Sequence, residues 1–256
     1  MSNIRQAFEK KAFIPFVTCG DPDLETTKQI VLAMERAGAS LIELGIPFSD
    51  PTAEGVAIQG ANLRALSNGI TTDDVFALVK ELRETVKVPL VFMTYANVVF
   101  SYGIERFCRR MAEVGMDGMI LPDVPFEEKE EFAPVCRKYG IDFIPLVAPT
   151  SEHRIEKIAK NAEGFVYCVS SLGVTGVRKE ITTDVERMVS LVKKANPDIP
   201  CAVGFGISTP EQAEQMAKIA DGVIVGSAIV REIGRCGRDS VPVVSDYVKR
   251  MVDAIT

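Results

Sequence analysis

The 256-residue sequence predicts an α/β chain closed into a single (β/α)8 TIM barrel, with a short N-terminal helix and extended loops after strands 2 and 6. Three observations carry the prediction. Short apolar runs rich in β-branched residues recur eight times, separated by segments of 3.6-residue apolar periodicity. The runs are almost continuously apolar rather than alternating, as parallel strands covered on both faces must be. No linker or change of composition divides the chain, so residues 1–256 are expected to form one domain.

The elements follow in order. The opening stretch Met1-Ser-Asn-Ile-Arg-Gln-Ala-Phe-Glu-Lys-Lys reads as a short amphipathic helix. Strands are expected at 13–18 (FIPFVT), 40–44 (SLIEL), 89–94 (PLVFMT), 117–121 (DGMIL), 141–147 (IDFIPLV), 164–169 (GFVYCV), 200–205 (PCAVGF) and 221–225 (DGVIV). Helical periodicity is clear over Thr26–Ala37, Thr72–Val86, Glu105–Val114 and Ile155–Lys160. Successive strands begin 21 to 28 residues apart, with two exceptions: 49 residues separate the starts of strands 2 and 3, and 36 those of strands 6 and 7. The first excess holds an extra helix around 57–67. The second is a lid-like stretch, Ser170-Ser-Leu-Gly-Val-Thr-Gly-Val-Arg-Lys. Both follow a strand directly and so belong to the C-terminal face, where barrels carry their sites.

Composition narrows the function. Hydrophobic content of 47% with 25% charged residues suits a folded enzyme, and a net charge of −6 with pI near 5.1 argues against nucleic acid as a partner. No apolar run reaches the roughly 18 residues of a membrane span. The N-terminus lacks the apolar core of a signal peptide, so a cytoplasmic location is expected. Six cysteines (Cys19, Cys108, Cys136, Cys168, Cys201, Cys236) are scattered without a CxxC pair, which favours buried, reduced thiols; Cys168 and Cys201 fall in strands as packing residues. The one histidine, His153, reads as a solvated first-turn residue, and a lone histidine counts against a multi-histidine metal site or a Ser-His-Asp triad.

Chemistry concentrates after strand 2. Glu43 stands in an apolar run, among Leu41, Ile42, Leu44 and Ile46, before the chain breaks at Gly45 and Pro47. A buried acid there is either partnered or held neutral, and burial lifts its pKa toward the range of acid–base catalysis. A second carboxylate, Glu54, follows in the loop. Strand 7 ends in Gly204-Phe-Gly-Ile-Ser and strand 8 in Gly226-Ser-Ala-Ile-Val. Glycine after strand 7 and Gly-Ser opening a helix after strand 8 form a backbone cradle for phosphate, where free N–H groups and the helix dipole face the anion. Gly176 in the lid is placed to add a further N–H.

These residues resemble the α subunit of tryptophan synthase along the whole chain. The likeness is carried by Phe13-Ile-Pro-Phe-Val-Thr, Glu43-Leu-Gly-Ile-Pro-Phe-Ser-Asp-Pro, Tyr95-Ala-Asn-Val-Val-Phe, Asp123-Val-Pro, Gly173-Val-Thr-Gly, Gly204-Phe-Gly-Ile-Ser and Gly226-Ser-Ala-Ile-Val. The resemblance implies a (β/α)8 lyase that cleaves indole-3-glycerol phosphate, by a retro-aldol reaction, to indole and glyceraldehyde 3-phosphate in tryptophan biosynthesis. It implies a complex with a β subunit in an α2β2 heterotetramer, with pyridoxal phosphate in that partner and no cofactor or metal in this chain. By resemblance Glu43 is the catalytic glutamate, Tyr167 the active-site tyrosine and Phe16 part of the indole pocket. Thr175 and Gly176 match the closing lid, and Gly206, Gly226 and Ser227 the phosphate site.

One loop departs from the family. Where relatives read Asp-Pro-Leu-Ala-Asp-Gly-Pro, this chain has Asp50-Pro-Thr-Ala-Glu-Gly-Val. Glu54 keeps the second carboxylate's charge with an added methylene, and Val56 restores a backbone N–H that proline lacks. Glu54 is expected to pair with the indole nitrogen; the competing reading is a solvated loop charge. Thr52 and Val56 bear on coupling to the β subunit, since this loop and Tyr95–Phe100 face the partner in the family. Two other functions compete: a free-standing lyase or another phosphate-binding barrel, and a barrel of weak activity that serves to activate a β subunit.

Overall fold

The computed structural model describes residues 3–149, 152–169, 185–204 and 206–256. The side chain of His153, and with it the first-turn reading of that residue, lies outside the described residues. Strands form at β1 Ala12–Thr18, β2 Ile42–Gly45, β3 Leu90–Met93 and β4 Gly118–Ile120. They continue as β5, in two pieces Asp142–Phe143 and Leu146–Val147, then β6 Val166–Val169, β7 Cys201–Gly204 and β8 Gly222–Val225. All pairings are parallel.

The sheet begins with the first piece of β5, runs through β4, β3, β2, β1, β8, β7 and β6, and ends on the second piece of β5. Its two ends are therefore consecutive segments of one strand, and the barrel closes through Ile144-Pro145. The continuous strand expected over 141–147 is corrected here to a broken one. Pro145 has no N–H to give a ladder, so a change of neighbour at this residue sacrifices no bond. Its carbonyl still accepts from Tyr167 N at 3.0 Å.

Helices fill the connections: α1 Asn3–Gln6, α2 Leu24–Arg36, α3 Val56–Ser67, α4 Thr72–Leu82, α5 Ala96–Tyr102 and α6 Ile104–Val114. The second half adds α7 Ala133–Lys138, α8 Glu152–Lys160, α9 Val185–Ala195, α10 Pro210–Ile219, α11 Ser227–Cys236 and α12 Ser240–Ile255. Local chemistry sets several starts. Asp23 caps α2 by accepting from Thr26 N at 2.7 Å, and Thr71 and Thr209 each form a capping box, with Asp74 and Gln212. Helix α4 stops four residues before the periodicity does, because Arg83 turns back to donate to the carbonyls of Gly115 and Val88 at 2.8 and 2.7 Å.

Strand side chains alternate between two apolar cores. Ala12, Ile14, Phe16, Val91, Ile120, Tyr167, Ala202 and Ile224 point into the barrel. Phe13, Val17, Ile42, Leu44, Phe92, Cys168, Val203 and Val223 point outward and pack under the helices. That is why the strands read as unbroken apolar runs. Ile4 of α1 is buried with the inner set, so the N-terminal helix closes the bottom of the barrel. The opposite, C-terminal end is left for a site.

Candidate active site

Parallel register brings the interior side chains of β1, β2 and β3 level at the C-terminal end. Phe16 pairs with Glu43, and Glu43 with Val91. Glu43 is 1% exposed, and its Oε1 has no hydrogen-bond partner among the described residues. Burial without a counter-charge pushes its carboxyl up to about 8. Across the barrel, burial foremost and then the Glu43 charge push the Tyr167 phenol well above its usual range. One pocket gathers Phe16, Glu43, Tyr167, Gly206, Gly226 and Ser227, six of the residues singled out from sequence. Thr175 and Gly176 lie outside the described residues.

The pocket has an apolar side and a backbone side. Phe16, Ile58, Met93 and Ile224 supply the first. The second is the N-terminus of α11, opened by Gly226 without a side-chain cap, where Val230 N is already bonded to the Gly226 carbonyl at 3.0 Å. The N–H groups before Val230 have no helical carbonyl four residues back to donate to, and they sit at the positive end of the helix dipole. Gly206 faces them with φ +82, in the left-handed region that favours glycine. The adjoining Ser208 is held on both sides: its N–H donates to Gln212 Oε1 and its carbonyl accepts from Tyr247, each at 2.8 Å.

Gly204 leaves room for Tyr167, since a Cβ at that position would clash with the phenol oxygen and ring. Gly204→Ala is therefore expected to displace the ring, destabilising the fold by about 1–3 kcal/mol and slowing turnover by up to about 100-fold. Paired denaturant midpoints and steady-state rates check this; a variant with the parent's rate would show that Tyr167 is free to move.

Glu54 does not line this pocket. It is 5% exposed, so the reading of a solvated loop charge is overturned. Its Oε2 accepts from Asn62 Nδ2 of α3 at 2.7 Å, and Gln59 Nε2 donates to its carbonyl at 2.7 Å. Burial raises its carboxyl to about 7, against the opposing hydrogen bonds from Asn62 and Tyr95. The Tyr95 hydroxyl also accepts from Ala53 N at 3.1 Å, tying the loop after β2 to the start of α5.

Sequence reasoning missed Asn62, Tyr95 and Tyr247 as supports, and Ile58, Met93, Ile207 and Ile224 as lining. Met93 was accessible, because it stands two residues beyond Val91, the register neighbour of Glu43, on the same face of β3. Tyr247 lies 39 residues from its acceptor and carries no local signal. Among the described residues no group of three or more His, Cys, Asp or Glu could hold a metal ion, and no helix is long and apolar enough to cross a membrane.

A buried carboxyl whose Oε1 has no partner among the described residues, beside a helix N-terminus at the C-terminal mouth of a (β/α)8 barrel, is the layout of a barrel enzyme. The sequence profile of the tryptophan synthase alpha chain matches residues 1–253. The tryptophan synthase alpha chain of Lacticaseibacillus casei is 47% identical over all of this chain and 96% of its own length. That of Shouchella clausii is 52% identical over 91% of this chain and 87% of its own. A chain in the crystal structure of the tryptophan synthase complex from Pyrococcus furiosus superposes with a TM-score of 0.87 at 36% identity, covering 94% of this chain and 98% of that one. The chain belongs to the tryptophan synthase alpha chain family.

Proposed function

We propose that the chain cleaves indole-3-glycerol phosphate to indole and glyceraldehyde 3-phosphate, as the α subunit of a tryptophan synthase. Family membership supports the reaction. The observation that carries the mechanism is Glu43, a buried carboxyl whose Oε1 has no partner among the described residues, in a pocket it shares with Gly206, Gly226 and Ser227.

Glu43 begins protonated. It delivers its proton to the indole ring carbon that bears the side chain, then, as a carboxylate, takes the proton of the neighbouring hydroxyl as the carbonyl forms and the carbon–carbon bond breaks. The bond's electrons return to the ring, and Glu43 ends protonated as it began. Phe16, Met93 and Ile224 offer an apolar bed for the indole. Gly206, Gly226 and Ser227 receive the phosphate, and Tyr167 flanks Glu43. Thr175 and Gly176 close over the substrate.

Glu54, ionised, stabilises the positive charge that develops on the ring nitrogen. To do so its carboxylate must turn from Asn62 and Tyr95 toward the pocket. With Glu43 needed as an acid near 8 and Glu54 as an anion near 7, kcat/KM is expected to be bell-shaped with limbs at about those values. Glu54→Ala is expected to remove the acidic limb and lower kcat by about 100-fold, whereas Glu54→Asp retains the limb. An alanine variant with the parent's rate and profile would make Glu54 a purely structural residue.

The partner is a β subunit that carries pyridoxal phosphate, in an α2β2 assembly. Support comes from the exposed apolar side chains Val56 (86%), Leu63 (62%) and Phe100 (48%), which stand on α3 and α5 at the same end as the pocket. Indole release by the isolated chain, and its rise on addition of a β subunit, tests the reading. Absence of indole from the isolated chain together with a stimulated β subunit would favour the activator function instead.

A further inference from the structure

A second cavity of about 180 Å³ opens between the ends of β4 and β5 and helices α7 and α8, and it shares no lining residue with the Glu43 pocket. One part of its wall is apolar, from Leu121, Val124, Phe126, Phe143, Leu146 and Ile158, and the rest is polar. An apolar cavity of roughly 150 Å³ is enough to admit benzene, so the space matches one six-membered ring.

Its polar groups are mainly cationic. Arg137 is satisfied, donating through Nε and Nη2 to Glu163 Oε1 at 2.9 and 2.8 Å. Arg154 is not. One of its terminal nitrogens pairs with Glu127, but its buried Nε has no acceptor among the described residues. Nearly all buried donors in folded proteins find an acceptor, and one left without is costly. The Lys129 ammonium lies 4.6 Å from the Phe126 ring centroid, and its ion pair with the exposed Glu130, at 3.7 Å, is weak.

We propose that this cavity is a binding site for a small aromatic carboxylate. The ring fills the apolar space, the carboxylate accepts from Arg154 Nε, and Lys129 supplies the second positive charge. A neutral ring leaves Arg154 unsatisfied, and a short aliphatic acid leaves the apolar volume unfilled. A phosphate dianion sets more negative charge against the carboxylate of Glu163 and offers no ring to the apolar part of the wall. The site does not depend on the reaction assigned to Glu43. It does adjoin the strand behind that pocket: Leu146 is the register partner of Tyr167, and Pro145 holds the Tyr167 amide.

Calorimetric titration of the full chain with benzoate, benzyl alcohol and acetate tests the proposal. Benzoate is expected to bind one to one, at least tenfold more tightly than either of the others. Arg154→Gln is expected to weaken benzoate at least tenfold, while leaving benzyl alcohol, the thermal midpoint and indole formation unchanged. A crystal soaked with 4-bromobenzoate locates the ligand independently of any variant, with the bromine signal expected between Phe143 and Ile158. No benzoate binding, equal binding of the three probes, indifference to Arg154→Gln, or a bromine signal in the Glu43 pocket would each overturn it.

Discussion

Replacing Glu43 with glutamine is expected to lower indole formation from indole-3-glycerol phosphate by about 10²–10⁴-fold, the usual contribution of a positioned acid–base group. Glutamine keeps the volume and the polar end of the side chain, so Phe16 and Tyr167 have no reason to move. What it loses is the transferable proton, which the proposed mechanism uses twice. The fall should appear in kcat, with KM near the parent's, because the apolar bed and the phosphate cradle are untouched. Quantifying released indole under single-turnover conditions isolates the step. A variant within about threefold of the parent would refute the shuttle, since groups of that class typically contribute about 10²–10⁴-fold.

The second large effect is on stability, and its sign is opposite to that of most core substitutions. Burial lifts the Glu43 carboxyl from an ordinary value of 4.5 to about 8. Between those values the unfolded chain gives up its proton while the folded chain keeps it. The folded state then binds more protons, so stability falls as pH rises through this window. At about 1.36 kcal/mol per pH unit the full loss has a ceiling of about 5 kcal/mol, complete above pH 8. Glutamine does not titrate and escapes it. Unfolding midpoints of parent and Glu43→Gln are expected to converge near pH 4 and to separate progressively to pH 9, with the variant the more stable. A parent that gained on the variant as pH rose would mean that Glu43 is ionised and partnered in the fold. Chemistry and stability thus pull Glu43 in opposite directions, as is common at sites selected for function.

Much of this was legible in the chain, for particular reasons. The eight strands announce themselves because both of their faces are buried, which leaves almost nothing polar in the runs. Glu43 stands out for the same reason: it is the only acid in an otherwise apolar strand. Gly226-Ser227 could be read because a helix N-terminus after the last strand is a local feature with a local cause. Glu54 was harder. A glutamate in a loop is ordinarily solvated, and its burial here depends on Asn62, eight residues on, and on Tyr95, which reaches the loop from another unit. The break in β5 has a visible sign in Pro145, but the apolar residues on either side still describe one extended run. The cavity beside α7 and α8 has no signature in sequence, since Arg154 and Lys129 read as ordinary surface cations until the fold brings them to one wall.

The broken fifth strand has a mechanical consequence. A closed barrel is a hoop, and around most of it the load passes sideways from strand to strand through rows of hydrogen bonds. At Ile144-Pro145 the load instead travels along the chain, because one piece of the strand is fastened to β4 and the other to β6. The hoop is closed there by a covalent clasp. The β6 residue fastened at that clasp is Tyr167, whose N–H donates to the Pro145 carbonyl and whose register partner is Leu146. One wall of the candidate active site is therefore carried by the residue that fastens the barrel's own joint.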